Sequence, residues 1–109
     1  MSREIKRNGI LAGGNWIVDQ VKTVDVFPQR ETLANILSQS QGGGGSPYNL
    51  VVNLAKLGAK IPLQAVGLVG KDALGKYILD DLKQHKIDAR QIQTITKAPT
   101  SYTDVMTEV

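Results

Sequence analysis

Gly42-Gly43-Gly44-Gly45-Ser46-Pro47-Tyr48-Asn49, running on to Leu54-Ala55-Lys56-Leu57-Gly58, is the stretch that decides how this chain is read. Serine can cap a helix, and proline at the first helical position gives up an N–H that has no intrahelical partner anyway. Ser46-Pro47 therefore predicts a helix start. Val51, Leu54, Ala55 and Leu57 supply its apolar stripe, Asn49, Asn53 and Lys56 a polar one, and Gly58 its stop. Glycines ahead of such a start let a ligand approach the backbone closely, and the unpaired N–H groups of the first turn point at whatever sits there. Residues 42–46 also spell a common flexible joint, and glycines make plain tight turns. Taken alone, the run is open to all three readings. It occurs once and leads directly into the helix start, which speaks against an idle joint.

Beyond this helix, Pro62 to Val69 reads as a buried strand, and Asp72 as the cap of a second helix reaching about His85. Leu74, Ile78 and Leu82 stack along that helix at four-residue spacing, and a short strand comes next at Ile92 to Ile95. On the other side, Val18 to Phe27 and Thr32 to Gln41 are strand-like without deep apolar character, which predicts a partly exposed antiparallel ribbon. Ile10 to Ala12, ended by Gly13-Gly14, reads as a short central strand. Strand, ribbon, helix, strand, helix, strand is the order of an α/β fold with a parallel sheet. Tyr102 to Val109 is a last strand-like stretch with no turn or polar tail behind it, so the chain is expected to be the front portion of a longer protein.

The 109 residues bound the chain to one domain or part of one, and 41% hydrophobic content excludes a disordered or collagen-like chain. Without cysteine there is no disulfide scaffold and no thiolate metal site, so a reducing, cytoplasmic setting is expected. The net charge of +3 is spread, with Lys71, Lys76, Lys83 and Lys86 interleaved among Asp72, Asp80, Asp81 and Asp88. That is a solvated face, and no nucleic-acid partner is expected. No membrane partner is expected either, because no apolar run approaches the roughly 18–20 residues of a span. Arg3, Lys6 and Arg7 precede Ile10-Leu11-Ala12, but Asn15 and Asp19 interrupt what would be the apolar core of a signal peptide.

Three features invite a chemical reading. Gly70 to Tyr77 matches G-x-x-x-x-G-K but carries Tyr77 where a phosphate-binding loop needs serine or threonine, and Asp72 would set a carboxylate beside phosphates. Turn and packing roles fit those glycines better. His85, the single histidine, falls near a helix C-terminus, where a cation is welcome. Asp19 comes after the first apolar strand and Trp16-Ile17-Val18. Ligands of open α/β sheets gather at the carboxyl ends of strands, so Asp19 is either an acceptor for substrate hydroxyls or a solvated turn residue.

In order and spacing these residues resemble the N-terminal portion of the ribokinase family, the PfkB-type carbohydrate kinases, over about Gly9 to Val109. Gly44-Gly45-Ser46-Pro47-Tyr48-Asn49 is similar to the family's G-G-x-x-x-N element, and Leu54-Ala55-Lys56-Leu57-Gly58 continues it. Val66-Gly67-Leu68-Val69-Gly70-Lys71-Asp72-Ala73-Leu74-Gly75 resembles the G-x-V-G-x-D-x-x-G run. Leu82 and Ile87-Asp88 fall where the family has its next leucine and its valine-aspartate ending. The resemblance implies a partial three-layer α/β sheet with antiparallel lid strands at about 18–41 and 101–109, truncated, within one domain. It implies transfer of the γ-phosphoryl group of Mg-ATP to a hydroxyl of a sugar or nucleoside. Asp19, Gly44, Gly45, Ser46 and Asn49 are then the substrate-binding residues, and the lid strands cover the sugar and in many members build a homodimer. The family's D-T-x-G-A-G-D element, which carries the catalytic base, the anion hole and part of the ATP site, has no counterpart in these residues. No catalytic residue is assigned, and the chain alone is expected to be inactive. Asn15 stands four residues before Asp19, where the family often has two, and Trp16 and Tyr48 are candidates to reshape the pocket. A noncatalytic sugar-binding or assembly module is the alternative. A dinucleotide-binding domain is disfavoured, for no G-x-G-x-x-G stands after the first strand.

Overall fold

The computed structural model describes residues 6–109; Arg3 of the charged lead lies outside them. Eight elements run in order: β1 (Ile10–Gly13), β2 (Ile17–Val24), β3 (Ile36–Gly44), α1 (Ser46–Lys56), β4 (Leu63–Gly70), α2 (Ala73–Gln84), β5 (Asp88–Ile95) and β6 (Tyr102–Glu108). They form two three-stranded sheets, β1-β4-β5 and β3-β2-β6.

The first sheet is wholly parallel, as alternating helices and apolar strands predict. Ala12, Leu63, Ala65, Val69 and Ile92 join Val51 and Val52 of α1 and Ile78 and Leu82 of α2 in one buried cluster. Side chains alternate across a strand, so Leu11 and Leu68 point to the opposite face, where they remain 56% and 54% exposed. The chain thus supplies the sheet and one helical layer. In α1 the apolar stripe is shifted from the expected one: Val52 is buried and Leu57 is 84% exposed. Leu57 is the C-cap, already outside the repeating turns, so nothing directs it inward. Asp72 caps α2 as expected, its side chain accepting from the Gly75 N–H at 2.8 Å.

In the second sheet β3 runs antiparallel to β2, as the ribbon reading predicts, whereas β6 joins the other edge of β2 in parallel. Four strand boundaries differ from expectation by three residues or more: β2 ends at Val24 rather than Phe27, β3 begins at Ile36 rather than Thr32, and the start of β5 and the end of β3 are displaced as well. β5 begins at Asp88, four residues before Ile92, because polar residues on an exposed face leave no apolar signal. Gly42, Gly43 and Gly44 are the last residues of β3, not a loop. Ladder hydrogen bonds to β2 hold them extended, and only Gly45 lies between strand and helix.

The second sheet is tied to the body at one end. Val18 is fully buried, and Trp16, just before β2, donates its indole N–H to the Val66 carbonyl of β4 at 2.9 Å. Thr100, two residues before β6, is 3% exposed; its hydroxyl accepts from the Gly70 N–H at 2.8 Å and donates to Asp72 Oδ1 at 2.6 Å. At the far end, Asn35 donates from its backbone and its side chain to the Asp25 carboxylate, both at 3.0 Å, closing the turn side of the ribbon. The radius of gyration is 17.7 Å. A compact chain of this length would have about 13 Å, so the excess reflects a sheet that stands off from the body.

Candidate functional site

Asp19 and the glycine run meet across two hydrogen-bonded strands. In register Asp19 pairs with Gly42 and Ile17 with Gly44, so Asp19, Gly42 and Gly44 share one face. A Cβ on Gly44 would lie 2.6 Å from Asp19 Oδ2 and 3.0 Å from its Cγ. The carboxylate occupies the space a side chain at 44 would need, which is the physical reason for glycine there. At Gly45 the reason is different. Its φ is +96° and a Cβ would lie 1.9 Å from the Asn15 carbonyl oxygen, so both conformation and space demand glycine.

Gly45 is the N-cap of α1, a correction to the capping role expected of Ser46. With Pro47 at the head of the helix, the chain has already entered it at Ser46, so this side chain makes no capping hydrogen bond and is exposed. Asn49 is also exposed, one turn on from Ser46, and its backbone N–H closes the first turn onto the Gly45 carbonyl at 3.0 Å. No acidic residue stands in that turn, leaving the positive end of the helix uncompensated. The structure therefore brings the half-buried Asp19 beside Gly44 and sets Gly45, Ser46 and Asn49 at the adjoining strand-to-helix junction. A carboxylate only accepts hydrogen bonds, whereas helix-end N–H groups only donate and an amide does both. Such a set suits vicinal hydroxyls, each of which donates and accepts.

A shallow cavity of about 320 Å³ opens at the carboxyl ends of β1 and β4, lined in part by Gly14, Asn15, Trp16, Gly67 and Ser101. This is where open α/β sheets collect ligands. Asn15 and Trp16 border it, although Trp16 is 2% exposed and offers only an edge. Tyr48 is packed inward with its phenol donating to Asp81, so it does not itself line the open face.

The phosphate-loop look-alike is structural. Asp72 accepts from the Gly75 N–H, from the Thr100 N–H at 2.9 Å and from the Thr100 hydroxyl. The Thr100 hydroxyl and backbone, then the Gly75 N–H, hold its carboxyl below the ordinary carboxylate range. These bonds make the Asp72 carboxylate the tie between the start of α2 and Thr100. His85 is the C-cap of α2, its Nδ1 2.8 Å from the Asp81 carbonyl, in keeping with a helix-end role. Sequence reasoning missed Thr100: a threonine in a polar connection carries no signal until its two partners, about 30 positions upstream, are folded against it.

The family description "pfkB family carbohydrate kinase" matches residues 9–109. The chain is 31% identical over 90 residues to an ATP-dependent 6-phosphofructokinase of Thermoanaerobacterium thermosaccharolyticum, a match covering 72% of this chain and 27% of that protein. It is 30% identical over 92 residues to an ATP-dependent ribose-1-phosphate kinase of Halopiger xanaduensis, covering 84% of this chain and 30% of the relative. Both matches take in less than a third of the relatives' length. Among solved structures, a nucleoside kinase of Methanocaldococcus jannaschii, described as an archaeal member of the ribokinase family, superimposes with a TM-score of 0.82. That match covers 95% of this chain and 34% of the other at 24% identity, and shows that the two share a fold. Motif order, fold and family match agree: the chain belongs to the pfkB family of carbohydrate kinases.

Proposed function

We propose that this chain is the substrate-recognition part of a kinase that transfers the γ-phosphoryl group of Mg-ATP to a hydroxyl of a sugar or nucleoside. The observation that carries the reading is the Asp19 carboxylate lying in the space over Gly44, next to the N-terminus of α1. In this reading Asp19 accepts from substrate hydroxyls, Gly44 keeps room for that carboxylate, Gly45 turns the chain into the helix, and Ser46 and Asn49 contact the substrate from the first turn. A site built to pair hydroxyl groups discriminates strongly against analogues that lack them.

Gly70 to Tyr77 is not a fitting nucleotide site, since Asp72 sets a carboxylate there and holds it with three hydrogen bonds. We therefore assign ATP binding, its magnesium and the catalytic base to polypeptide outside these residues, in one domain with them. ATP supplies the transferred phosphoryl group; this chain's part is to hold the acceptor hydroxyl and exclude water. The second sheet acts as the lid, since it is attached at one end and reaches past the glycine junction. The edges of β3 and β6 are open to pairing, which supports a homodimer through the lid in a cytoplasmic enzyme. The test is a screen of sugars and nucleosides against the complete gene product with Mg-ATP, reading ADP release. Turnover confined to compounds with vicinal hydroxyls is expected. Saturable sugar binding with no ADP release from any of them would leave a noncatalytic binding module instead.

A further inference from the structure

We infer that Tyr48 is the positioning residue that sets where Gly44 and Gly45 stand relative to Asp19. The inference rests on the polyol-binding reading above and adds a residue that does not touch the substrate. β3 presents two faces at its glycine end. Gly44 faces Asp19, and Gly43, one residue earlier, faces the other way, toward the helices. A Cβ on Gly43 would lie 2.1 Å from Cζ and 2.3 Å from Cε2 of Tyr48, so the ring lies directly against the strand backbone. The ring is held from behind, because its hydroxyl donates to the Asp81 carboxylate on α2. Burial first, and then the Asp81 carboxylate, push the phenol above its ordinary value, so it remains a donor at any working pH.

The result is a stack of fixed thickness: Asp81 on α2, the Tyr48 ring, the β3 backbone at Gly43 and Gly44, and the Asp19 carboxylate. Close-packed interiors transmit displacement. Moving the ring moves the strand, and moving the strand moves the junction at which Gly45, Ser46 and Asn49 are presented. Tyr77 braces the same strand more weakly, with its hydroxyl 3.4 Å from the Gln41 carbonyl. The two central glycines of the run are thus reserved by different residues on opposite faces, Gly44 by the site and Gly43 by its support.

The test uses the complete gene product and a cycle of Gly43→Ala, Tyr48→Leu and the double variant, with Tyr48→Phe as a mild second probe. In the native background Gly43→Ala is expected to raise the sugar KM by roughly tenfold or more, as a displacement approaching 1 Å does, and to leave the ATP KM unchanged. In the Tyr48→Leu background, where the ring is gone, the same change is expected to alter the sugar KM by about twofold at most, the effect of a neutral site. Tyr48→Phe keeps the ring and loses its tether, and is expected to raise the sugar KM without altering the fold seen by circular dichroism. The urea midpoint reads the same coupling without turnover: Gly43→Ala should lower it only while the ring is present. Equal penalties for Gly43→Ala in both backgrounds, in KM or in midpoint, overturn the role of Tyr48. A native enzyme that phosphorylates no sugar, with the midpoint coupling intact, overturns the kinase reading and leaves the support in place.

Discussion

Replacing Gly42, Gly44 and Gly45, three of the four glycines ahead of the helix, one at a time should give three different outcomes. At Gly44 a Cβ would meet Asp19 Oδ2 at 2.6 Å, whereas ordinary contact begins near 3.4 Å. The carboxylate must retreat by about 0.8 Å, and a misplacement near 1 Å costs up to about a hundredfold where reacting groups must be aligned. Gly44→Ala is therefore expected to lower kcat/KM for the sugar by roughly ten- to a hundredfold while kcat/KM for ATP at saturating sugar falls only through kcat. Gly42 lies on the same face two residues away, yet nothing stands within 4 Å of a Cβ there. Gly42→Ala should leave the protein as stable or more stable by about 0.4–1 kcal/mol, through the stiffer unfolded chain. Gly45→Ala has neither conformation nor room and should abolish soluble expression, with φ at +96° and the Asn15 oxygen at 1.9 Å. The assay is initial-rate ADP release by the complete gene product, with urea unfolding of each variant. A Gly44→Ala enzyme with native sugar kinetics, or one no worse than Gly42→Ala, would refute the claim that Asp19 and Gly44 share one space.

Asp19→Ala should weaken sugar binding far more than ATP binding, measured by titration calorimetry of each ligand, because a partly buried acceptor for hydroxyls is lost; equal weakening counts against the assignment. Thr100→Val should destabilise the protein by about 1–3 kcal/mol in urea, the cost of a buried Gly70 N–H left without its acceptor. Thr100→Ser keeps that acceptor and should recover most of the loss. Stability should also fall in acid. Asp25, Asp72 and Asp88 are all held below the ordinary value of 3.8, chiefly by hydrogen bonds from Asn35, Thr100 and Arg90 respectively. A depressed carboxylate contributes stability that is present above its unfolded value and lost as pH falls through the folded one, so the unfolding midpoint should hold down to about pH 4 and drop below it. Asp72→Asn should flatten that acid limb, and an unchanged limb would show that the Thr100 bonds do not favour the ionised form.

What could be read from the chain beforehand divides along physical lines. Ile10–Gly13, α2 and Leu63–Gly70 were legible because apolar periodicity and a capping aspartate report burial and helix ends locally. Asp88 to Gln91 was not, since a strand on an exposed face is specified by its neighbour in the ladder and not by its own side chains. The glycine run is the instructive case. Read locally it is a loop, because glycine weakens an isolated strand; paired with β2 it is the end of one. Gly43 and Gly44 are glycines on account of Tyr48 and Asp19, residues that lie outside any turn signal and whose pressure on the backbone exists only after folding. The family motif recorded the outcome of that pressure at Gly44 without its cause, which is why the candidate site could be proposed from a pattern and the arrangement of Tyr48, Gly43 and Asp81 behind it could not. Substitutions that disturb this stack from the α2 side, Asp81→Leu among them, should therefore reach the sugar KM from the far face of β3, and Lys76→Ala, on an exposed pair of the same helix, should not.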